Sequence, residues 1–383
     1  MTEKLYDFNS YLKEFTATVV SCNETEDGKY KIILDKTAFF PEEGGQCCDT
    51  GTLGDANVLY VSLEGEKIVH ITDKPLSGEV SGKIDFTKRF RNMQNHTGEH
   101  ILSGIIFKNY GFNNVGFHLG EIEVTMDVDG ILTREQIDEV ELLANKVVYS
   151  NVAVKGYYPE KELLQTLEYR SKKEIDGAVR IVNIEGVDDC ACCAPHVNFT
   201  GEIGLIKIVA FAKMRGGTRL TIKCGLDALL DYNEKFRNVY AVSVALKIPQ
   251  NETAVAVENL INENKDLKYK IGQIKREQIL RLAETIEYTN GNLCIFEEDL
   301  SADDLRGLAN AVKSKCGGIC AVLSGSDEKG YTYCLASDSV DLKEKSIEIN
   351  AALNGRGGGS KVMIFGSFSA SKTQIEDFFK VNQ

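Results

Sequence analysis

The sequence has no apolar run approaching the ~20 residues needed to cross a bilayer, which excludes a helical membrane span. Its first residues, Met1-Thr-Glu-Lys-Leu-Tyr-Asp-Phe8, lack the basic start and apolar core of a secretory signal. The expectation is a soluble, cytoplasmic chain with no membrane partner. Positive charge is in short supply: 44 Lys and Arg stand against 57 Asp and Glu, a net charge of −13. Phosphate contacts need Lys and Arg, so this balance argues against a broad surface that coats nucleic acid. It leaves room for local basic concentrations at Lys88-Arg89-Phe90-Arg91, at Arg170 with Lys172 and Lys173, and from Lys213 through Arg215 to Arg219. Taken singly, each reads as a solvated face. The eleven cysteines are spread along 383 residues, with adjacent pairs at Cys47/Cys48 and Cys192/Cys193. That is not the compact disulfide framework of a small secreted domain, and it points to reduced thiols, some of them metal ligands. Histidine is scarcer still, with five in the whole chain.

Three of those five fall in two similarly spaced pairs. His96 and His100 lie in Asn95-His-Thr-Gly-Glu-His100, and an i, i+4 pair on a helix turns both imidazoles to one face. His196 closes Cys190-Ala-Cys-Cys-Ala-Pro-His196, in which Cys192 precedes the histidine at the same spacing. His96, His100, His196 and one thiolate from Cys190, Cys192 or Cys193 make a tetrahedral set of borderline-soft donors, which selects zinc over magnesium or calcium. Four protein ligands suit a structural site, whereas a catalytic zinc keeps a position open, so ligand count leaves the role undecided. The pattern is not His-Glu-x-x-His, and Glu99, one helical position from His100, is expected to point elsewhere.

The chain reads as α+β. Over residues 1–88, short apolar runs at 15–22, 30–35, 57–62, 67–71 and 79–84, with a hairpin signal at Glu26-Asp-Gly28, suggest a small N-terminal β-barrel domain. Residues 89–225 read as an α+β zinc-binding domain. It contains the histidine helix, a second helix from Thr133 with a capping box at Thr133-Arg-Glu-Gln136, and a hairpin around Gly216-Gly217. Over 226–289, apolar residues recur at a spacing of three to four, which predicts two helices, the second long, stacked on each other or on a partner chain. Residues 290–383 alternate strand and helix signals as a small C-terminal α/β domain.

Two glycine-rich stretches stand out. In Thr37-Ala-Phe-Phe-Pro-Glu-Glu-Gly-Gly-Gln-Cys-Cys-Asp-Thr-Gly51, Gly44 and Gly45 allow close backbone approach to a ligand, with the Gln46 amide beside it. The second stretch, Gly355-Arg-Gly-Gly-Gly-Ser360, combines a loop signal with the charges of Arg356 and Lys361. No helix signal follows directly, so it is not a standard nucleotide-binding loop.

Together these motifs resemble a known family. His-Thr-Gly-Glu-His and Cys-Cys-Ala-Pro-His are similar to the zinc-binding motifs of alanyl-tRNA synthetase editing domains and of the free-standing AlaX trans-editing proteins. Residues 39–51 resemble the glycine-rich signature of that family's preceding β domain. Residues 228–383 resemble the synthetase's C-terminal region, a helical stalk and a glycine-rich domain associated with DHH phosphoesterases. The resemblance covers nearly the whole chain and omits the aminoacylation domain, which implies the long form of AlaX. It implies zinc ligands His96, His100, Cys192 and His196. It also implies an amino-acid pocket drawn from Gly116-Phe-His-Leu-Gly120, with Phe117 as a binding residue and His118 as a catalytic one, bordered by Gly44, Gly45 and the catalytic Gln46. The family's usual second motif is Cys-Gly-Gly-Thr-His. Here Pro195 replaces its threonine and Cys193 follows the ligand, which leaves Cys192 and Cys193 both open.

The function so implied is hydrolysis of the ester joining a wrong amino acid, serine first and glycine second, to alanine tRNA. Arg215 and Arg356 would contact the tRNA, and the stalk or C-terminal domain could pair two protomers. The rival expectations are a non-catalytic RNA-binding or assembly protein with a structural zinc, and a nucleotide binder working through residues 291–383.

Overall fold

The structure, a computed structural model, describes residues 2–171 and 178–381. Lys172 and Lys173 of the basic stretch lie outside the described residues. The chain forms two compact units, Met1–Ala241 and Val242–Gln383. Among the described residues no helix is long and apolar enough to cross a membrane.

The first unit begins with β1 (Glu3–Lys4), α1 (Leu5–Phe8), β2 (Glu14–Glu24), β3 (Tyr30–Leu34), β4 (Lys36–Thr37), β5 (Gly51–Leu53), β6 (Ala56–Glu64), β7 (Lys67–Thr72) and β8 (Glu79–Ile84). Six of these strands pair in the order β2-β3-β7-β6-β5-β8, every pair antiparallel, and the circuit closes through β2 and β8. The period-two pattern is plain in β8, where Val80, Gly82 and Ile84 turn inward and their neighbours outward. Phe15, Ile32, Leu34, Phe39, Phe40, Leu53, Val61 and Ile68 fill the interior.

The helix α2 (Phe86–Tyr110) follows. Asp85 caps its N-terminus by accepting from the Thr87 and Lys88 amides, and Gly111, at φ +72°, ends it. Then come β9 (Asn114–Leu119), β10 (Val124–Val128), α3 (Arg134–Ser150), β11 (Val154–Tyr157), α4 (Lys161–Thr166), β12 (Ile181–Ile184), β13 (Asp188–Ala191), β14 (Ile206–Met214) and β15 (Gly217–Cys224). The capping box read from Thr133 and Gln136 is present at the start of α3. One sheet has the order β14-β15-β10-β9 and another the order β11-β12-β13. Met93, Leu102 and Ile106 of α2 and Val140, Ala144 and Val148 of α3 share their core with Met126, Val182, Ile184, Leu220 and Ile222 of these strands.

The expected small N-terminal β-barrel domain over 1–88 is corrected by this arrangement. No barrel stands as a domain of its own, because the strand circuit belongs to the same compact unit as the α+β layers. Two contacts explain why. Ala194, with Cys192 and Cys193 beside it, packs into the circuit's apolar interior. Arg89 of α2 is fully buried, donating to the Asp49 carboxylate and to the carbonyls of Ser10 and Ala38. The solvated face expected of residues 88–91 is therefore corrected at Arg89. A guanidinium shut away from water needs these acceptors, so the ion pair fastens helix to strands.

The division between units falls within α5 (Leu226–Leu246). The second unit carries α6 (Thr253–Thr285), β16 (Leu293–Phe296), α7 (Ala302–Val312), β17 (Cys320–Ser326), β18 (Gly330–Ala336), α8 (Leu342–Ala352), β19 (Gly355–Gly359), β20 (Met363–Phe368) and α9 (Lys372–Val381). The two helices read from the apolar spacing are thus α5 and the 33-residue α6. The five-stranded sheet has the order β16-β17-β18-β20-β19. Only β16 and β17 run parallel, so the unit is α+β and not an alternating α/β domain. The glycine-rich stretch expected as a loop is the edge strand β19, where a glycine backbone lies close against β20.

Candidate metal centre

The i, i+4 spacing on α2 brings the His96 and His100 rings to 5.3 Å between centroids. The segment after β13 delivers His196, whose ring lies 4.8 Å from His96 and 4.7 Å from His100. Cys192 Sγ is 3.5 Å from His96 Nε2 and 3.3 Å from His196 Nε2. One donor atom from each of His96, His100, Cys192 and His196 fits within a 4.8 Å group. The three histidines are buried and Cys192 is half-buried. Burial pushes the Cys192 thiol pKa up, so the thiolate a metal requires forms only with the metal's help.

Each histidine has a partner at its other ring nitrogen. Gln46 Oε1 lies 2.7 Å from His96 Nδ1, and Thr97 Oγ1 lies 3.0 Å from His196 Nδ1. Thr97 spends its own proton on the Met93 carbonyl at 2.8 Å, so it accepts from His196. Asp188 Oδ2 stands 3.3 Å from His100 Nδ1, off the line of a good hydrogen bond. Protons held at Nδ1 leave Nε2 as the ligating atom, the outer-sphere arrangement of metal-binding histidines. Three imidazoles and a thiolate with these supports fit a borderline-soft cation such as zinc.

Of the residues expected at the site, the structure gathers His96, His100, Cys192, His196, Gln46, Phe117, Gly44 and Gly45. The Phe117 ring lies 4.8 Å from that of His96. Gly45 has φ +83°, and a side-chain carbon there would run into the Phe117 carbonyl oxygen, so only glycine fits. The 44–47 loop is hydrogen-bonded along β9, with Leu119 N donating to Gly45 O at 2.7 Å and Cys47 N to Leu119 O at 3.1 Å. Cys193 is outside the four-donor group and lies against Gly44, and burial, with Glu43 second, pushes its thiol pKa up.

The other expected residues lie elsewhere. His118, the residue after Phe117 on a strand, is exposed on the opposite face of β9. Arg215 sits at the exposed tip of the β14–β15 hairpin, and Arg356 is exposed on β19 of the second unit.

Asp188, which the sequence did not flag, and Arg170 and Glu99, which it did not place at the site, complete the surroundings. Arg170 donates twice to Asp188, both bonds at 2.7 Å, and to Ser103 Oγ at 2.8 Å. Burial alone would raise the Asp188 pKa, but His100 and Arg170 outweigh it and hold the carboxyl below its usual range. Glu99, expected to point elsewhere, is buried with one oxygen accepting from Asn114 and the other 4.0 Å from His100 Nε2. No spacing rule links Arg170 to His100. Only the packing of β13 on α2 does, at Gly104, where a side-chain carbon would come within 2.9 Å of Asp188 Cβ and of the Val187 carbonyl oxygen.

Residues 179–220, which include Cys192 and His196, match the family described as threonyl and alanyl tRNA synthetase second additional domain. Over 96% of its length the chain is 27% identical to the alanyl-tRNA editing protein Aarsd1 of Rattus norvegicus, covering 93% of that protein. Over 98% it is 28% identical to the alanyl-tRNA editing protein AlaX-L of Pyrococcus horikoshii, covering 97%. The chain is a homologue of the AlaX-type alanyl-tRNA editing proteins. It is also 29% identical to the alanine–tRNA ligase of Pyrococcus abyssi over 99% of its length, and spans 44% of that larger protein. In this editing homologue the four-donor group is drawn from α2 and from the segment that matches the synthetase domain, with Gln46 of the 44–47 loop beside it. The kinship supports a tRNA-editing type of function and an interaction with tRNA.

Proposed function

We propose that the chain is a zinc-dependent trans-editing hydrolase that deacylates mischarged alanine tRNA, with serine as the first substrate and glycine as the second. The observation that carries this reading is the convergence of His96, His100, Cys192 and His196, with His96 and His196 held at Nδ1 by Gln46 and Thr97 and Asp188 3.3 Å from His100 Nδ1, beside the glycine loop 44–46. His96, His100, Cys192 and His196 would hold a zinc ion there, and it would supply positive charge beside the acylated tRNA end. Gln46 accepts from His96 through Oε1, which leaves its buried Nε2 without a protein partner. That amide N–H is a donor for the oxygen that gains charge as the ester is attacked. Glu99, oriented by Asn114 beside His100, holds a proton of the attacking water. His118, exposed on the far face of β9, has no part in this scheme, and the exposed Arg215 and Arg356 are assigned to the tRNA backbone.

Editing of this kind answers a limit of recognition. A pocket that fits alanine cannot strongly reject one added hydroxyl, whereas a site that hydrogen-bonds serine's hydroxyl leaves its own polar groups unpaired when alanine enters. The four-ligand set also favours a second reading, a structural zinc in a non-catalytic RNA-binding protein. Deacylation of Ser-, Gly- and Ala-charged alanine tRNA by the wild type and by Cys192→Ala, with zinc content measured, separates the two. The editing reading expects rapid loss of serine, retention of alanine, and loss of both zinc and activity in Cys192→Ala. Intact seryl-tRNA alongside persistent RNA binding would establish the second reading instead.

A further inference from the structure

The sequence places three thiols close together, Cys190, Cys192 and Cys193. The four-donor group takes Cys192, while Cys190 lies beside His100 and Asp188, and Cys193 lies against Gly44. The side chains are chemically alike, so they do not make this choice. The backbone of residues 191–194 makes it, by the direction in which it sends each Sγ. One residue grips that backbone. β12 and β13 pair antiparallel with Ile181 opposite Ala191, so the next step of the register sets Arg180 opposite Cys192. The Arg180 carbonyl accepts from Cys192 N at 3.0 Å. Its guanidinium turns back on the same segment, with Nη1 donating to the Cys192 carbonyl at 3.1 Å and to the Ala194 carbonyl at 3.0 Å. Two neighbours fit the guanidinium. Gly156 on β11 leaves room for it, because a side-chain carbon there would run into Nη2 and Cζ. Asp7 of α1, which accepts from the Tyr158 hydroxyl at 2.9 Å, sets a carboxylate 3.9 Å from Nε. Arg180 is buried, and taking a guanidinium out of water is costly unless such acceptors surround it.

We propose that Arg180 is a positioning residue that decides which thiol joins the three histidines, by holding the Cys192 peptide at both its N–H and its carbonyl. The proposal rests on the zinc reading above. Held in this way, Cys192 Sγ lies 3.3 Å from His196 Nε2 and 3.5 Å from His96 Nε2, whereas Cys193 Sγ is turned to the glycine loop at Gly44. The bond to the Ala194 carbonyl fixes the far end of the same turn, and the Ala194 side chain is anchored in the interior of the strand circuit. Without the guanidinium the ladder bond to Cys192 N remains. The two carbonyls are then released, and Cys192 loses its fixed approach to the histidines.

Arg180→Met keeps an unbranched side chain and removes its donors. Zinc affinity, measured by competition with a chromophoric chelator, should fall roughly 10- to 100-fold. Cobalt(II) in place of zinc should give a thiolate-to-metal absorption band in the wild type, none in Cys192→Ala, and a weakened one in Arg180→Met. The deciding comparison combines the two substitutions. Because Arg180 acts through Cys192, Arg180→Met should cost less than about two-fold in zinc affinity once that thiol is gone. Gly156→Ala pushes the guanidinium off its carbonyls and keeps its charge. It should lower zinc affinity in the wild type and not in Cys192→Ala, and it supplies the comparison if Arg180→Met does not fold. The proposal is overturned if Cys192→Ala weakens zinc binding while the Arg180 or Gly156 substitution leaves it unchanged, or weakens it equally with and without Cys192. A wild type that takes up neither metal, or whose zinc affinity is indifferent to Cys192→Ala, overturns the ligand reading and this proposal with it.

Discussion

Gln46 Oε1 accepts from His96 Nδ1 at 2.7 Å, and this one bond sets the direction of both side chains. With Oε1 committed, the amide nitrogen faces away as a buried donor without a partner. Two substitutions separate the two jobs. Gln46→Glu keeps an acceptor for His96 and loses the donor, so zinc affinity should hold while kcat falls roughly a hundred-fold. Gln46→Leu loses both, and zinc affinity should also drop roughly 10- to 100-fold. Chelator competition and single-turnover deacylation measure the two effects. Equal zinc loss in both variants would reduce Gln46 to an orienting residue alone.

Asp188 stands between a ligand and a cation, 3.3 Å from His100 Nδ1 and doubly bonded to Arg170. Asp188→Ala removes the orienting carboxylate and strands a largely buried guanidinium. The expected results are a roughly 10- to 100-fold weaker zinc affinity and a loss of about 3 kcal/mol in stability. The double variant Asp188→Ala/Arg170→Met should recover much of the stability and none of the zinc affinity. Denaturant titration and chelator competition on the same samples check both, and recovery of zinc affinity in the double variant would refute an orienting role.

The grouping of His96, His100, Cys192 and His196 was legible because helical periodicity and a repeated spacing of four act over short distances. His96 and His100 needed only α2, and Cys192 and His196 only their own turn. Asp188 and Thr97 were not legible as partners, since which side chain meets Nδ1 depends on how β13 and α2 pack. Arg89 misled for a related reason. A Lys-Arg-Phe-Arg run reads as surface, yet the buried Asp49 forty residues earlier draws one of its arginines into the interior. Strand alternation was not weighed for His118, which is exposed on β9 next to Phe117, whose ring meets His96. The strands of the first 88 residues were readable from alternation, but not their dependence on residues 192–194 for interior packing.

His70 sits in the interior of the strand circuit, with Nε2 2.9 Å from Thr37 Oγ1 and Nδ1 3.3 Å from the Ile32 carbonyl. Burial pulls its pKa down to about 4. An unfolded histidine titrates near ~6.5, so between those values the unfolded chain takes up a proton that the folded chain refuses. This contribution to stability is complete above that unfolded value and is lost as pH falls through the window. From pH 7 to pH 5 it amounts to about 2 kcal/mol. Melting curves of the wild type and His70→Gln at the two pH values give the test. The variant, whatever its absolute stability, should lose less on acidification, and parallel losses would contradict the assignment.

Cys316 and Cys320 are neighbouring thiols in the second unit. The Cys320 thiol is the main influence that lowers the Cys316 pKa to about 7, aided by the Gly318 backbone and opposed by burial. Cys294 and Cys334 are pushed up to about 12 by burial. Because the thiolate is the nucleophile, alkylation of Cys316 by iodoacetamide should reach half its maximal rate near pH 7, while Cys294 and Cys334 stay unmodified through pH 9. Peptide mapping by mass spectrometry resolves the sites. Cys320→Ala removes that thiol and should move the Cys316 midpoint up toward the ordinary thiol value of ~8.5. A midpoint that ignores the substitution would show that the neighbouring thiol does not hold the Cys316 thiolate.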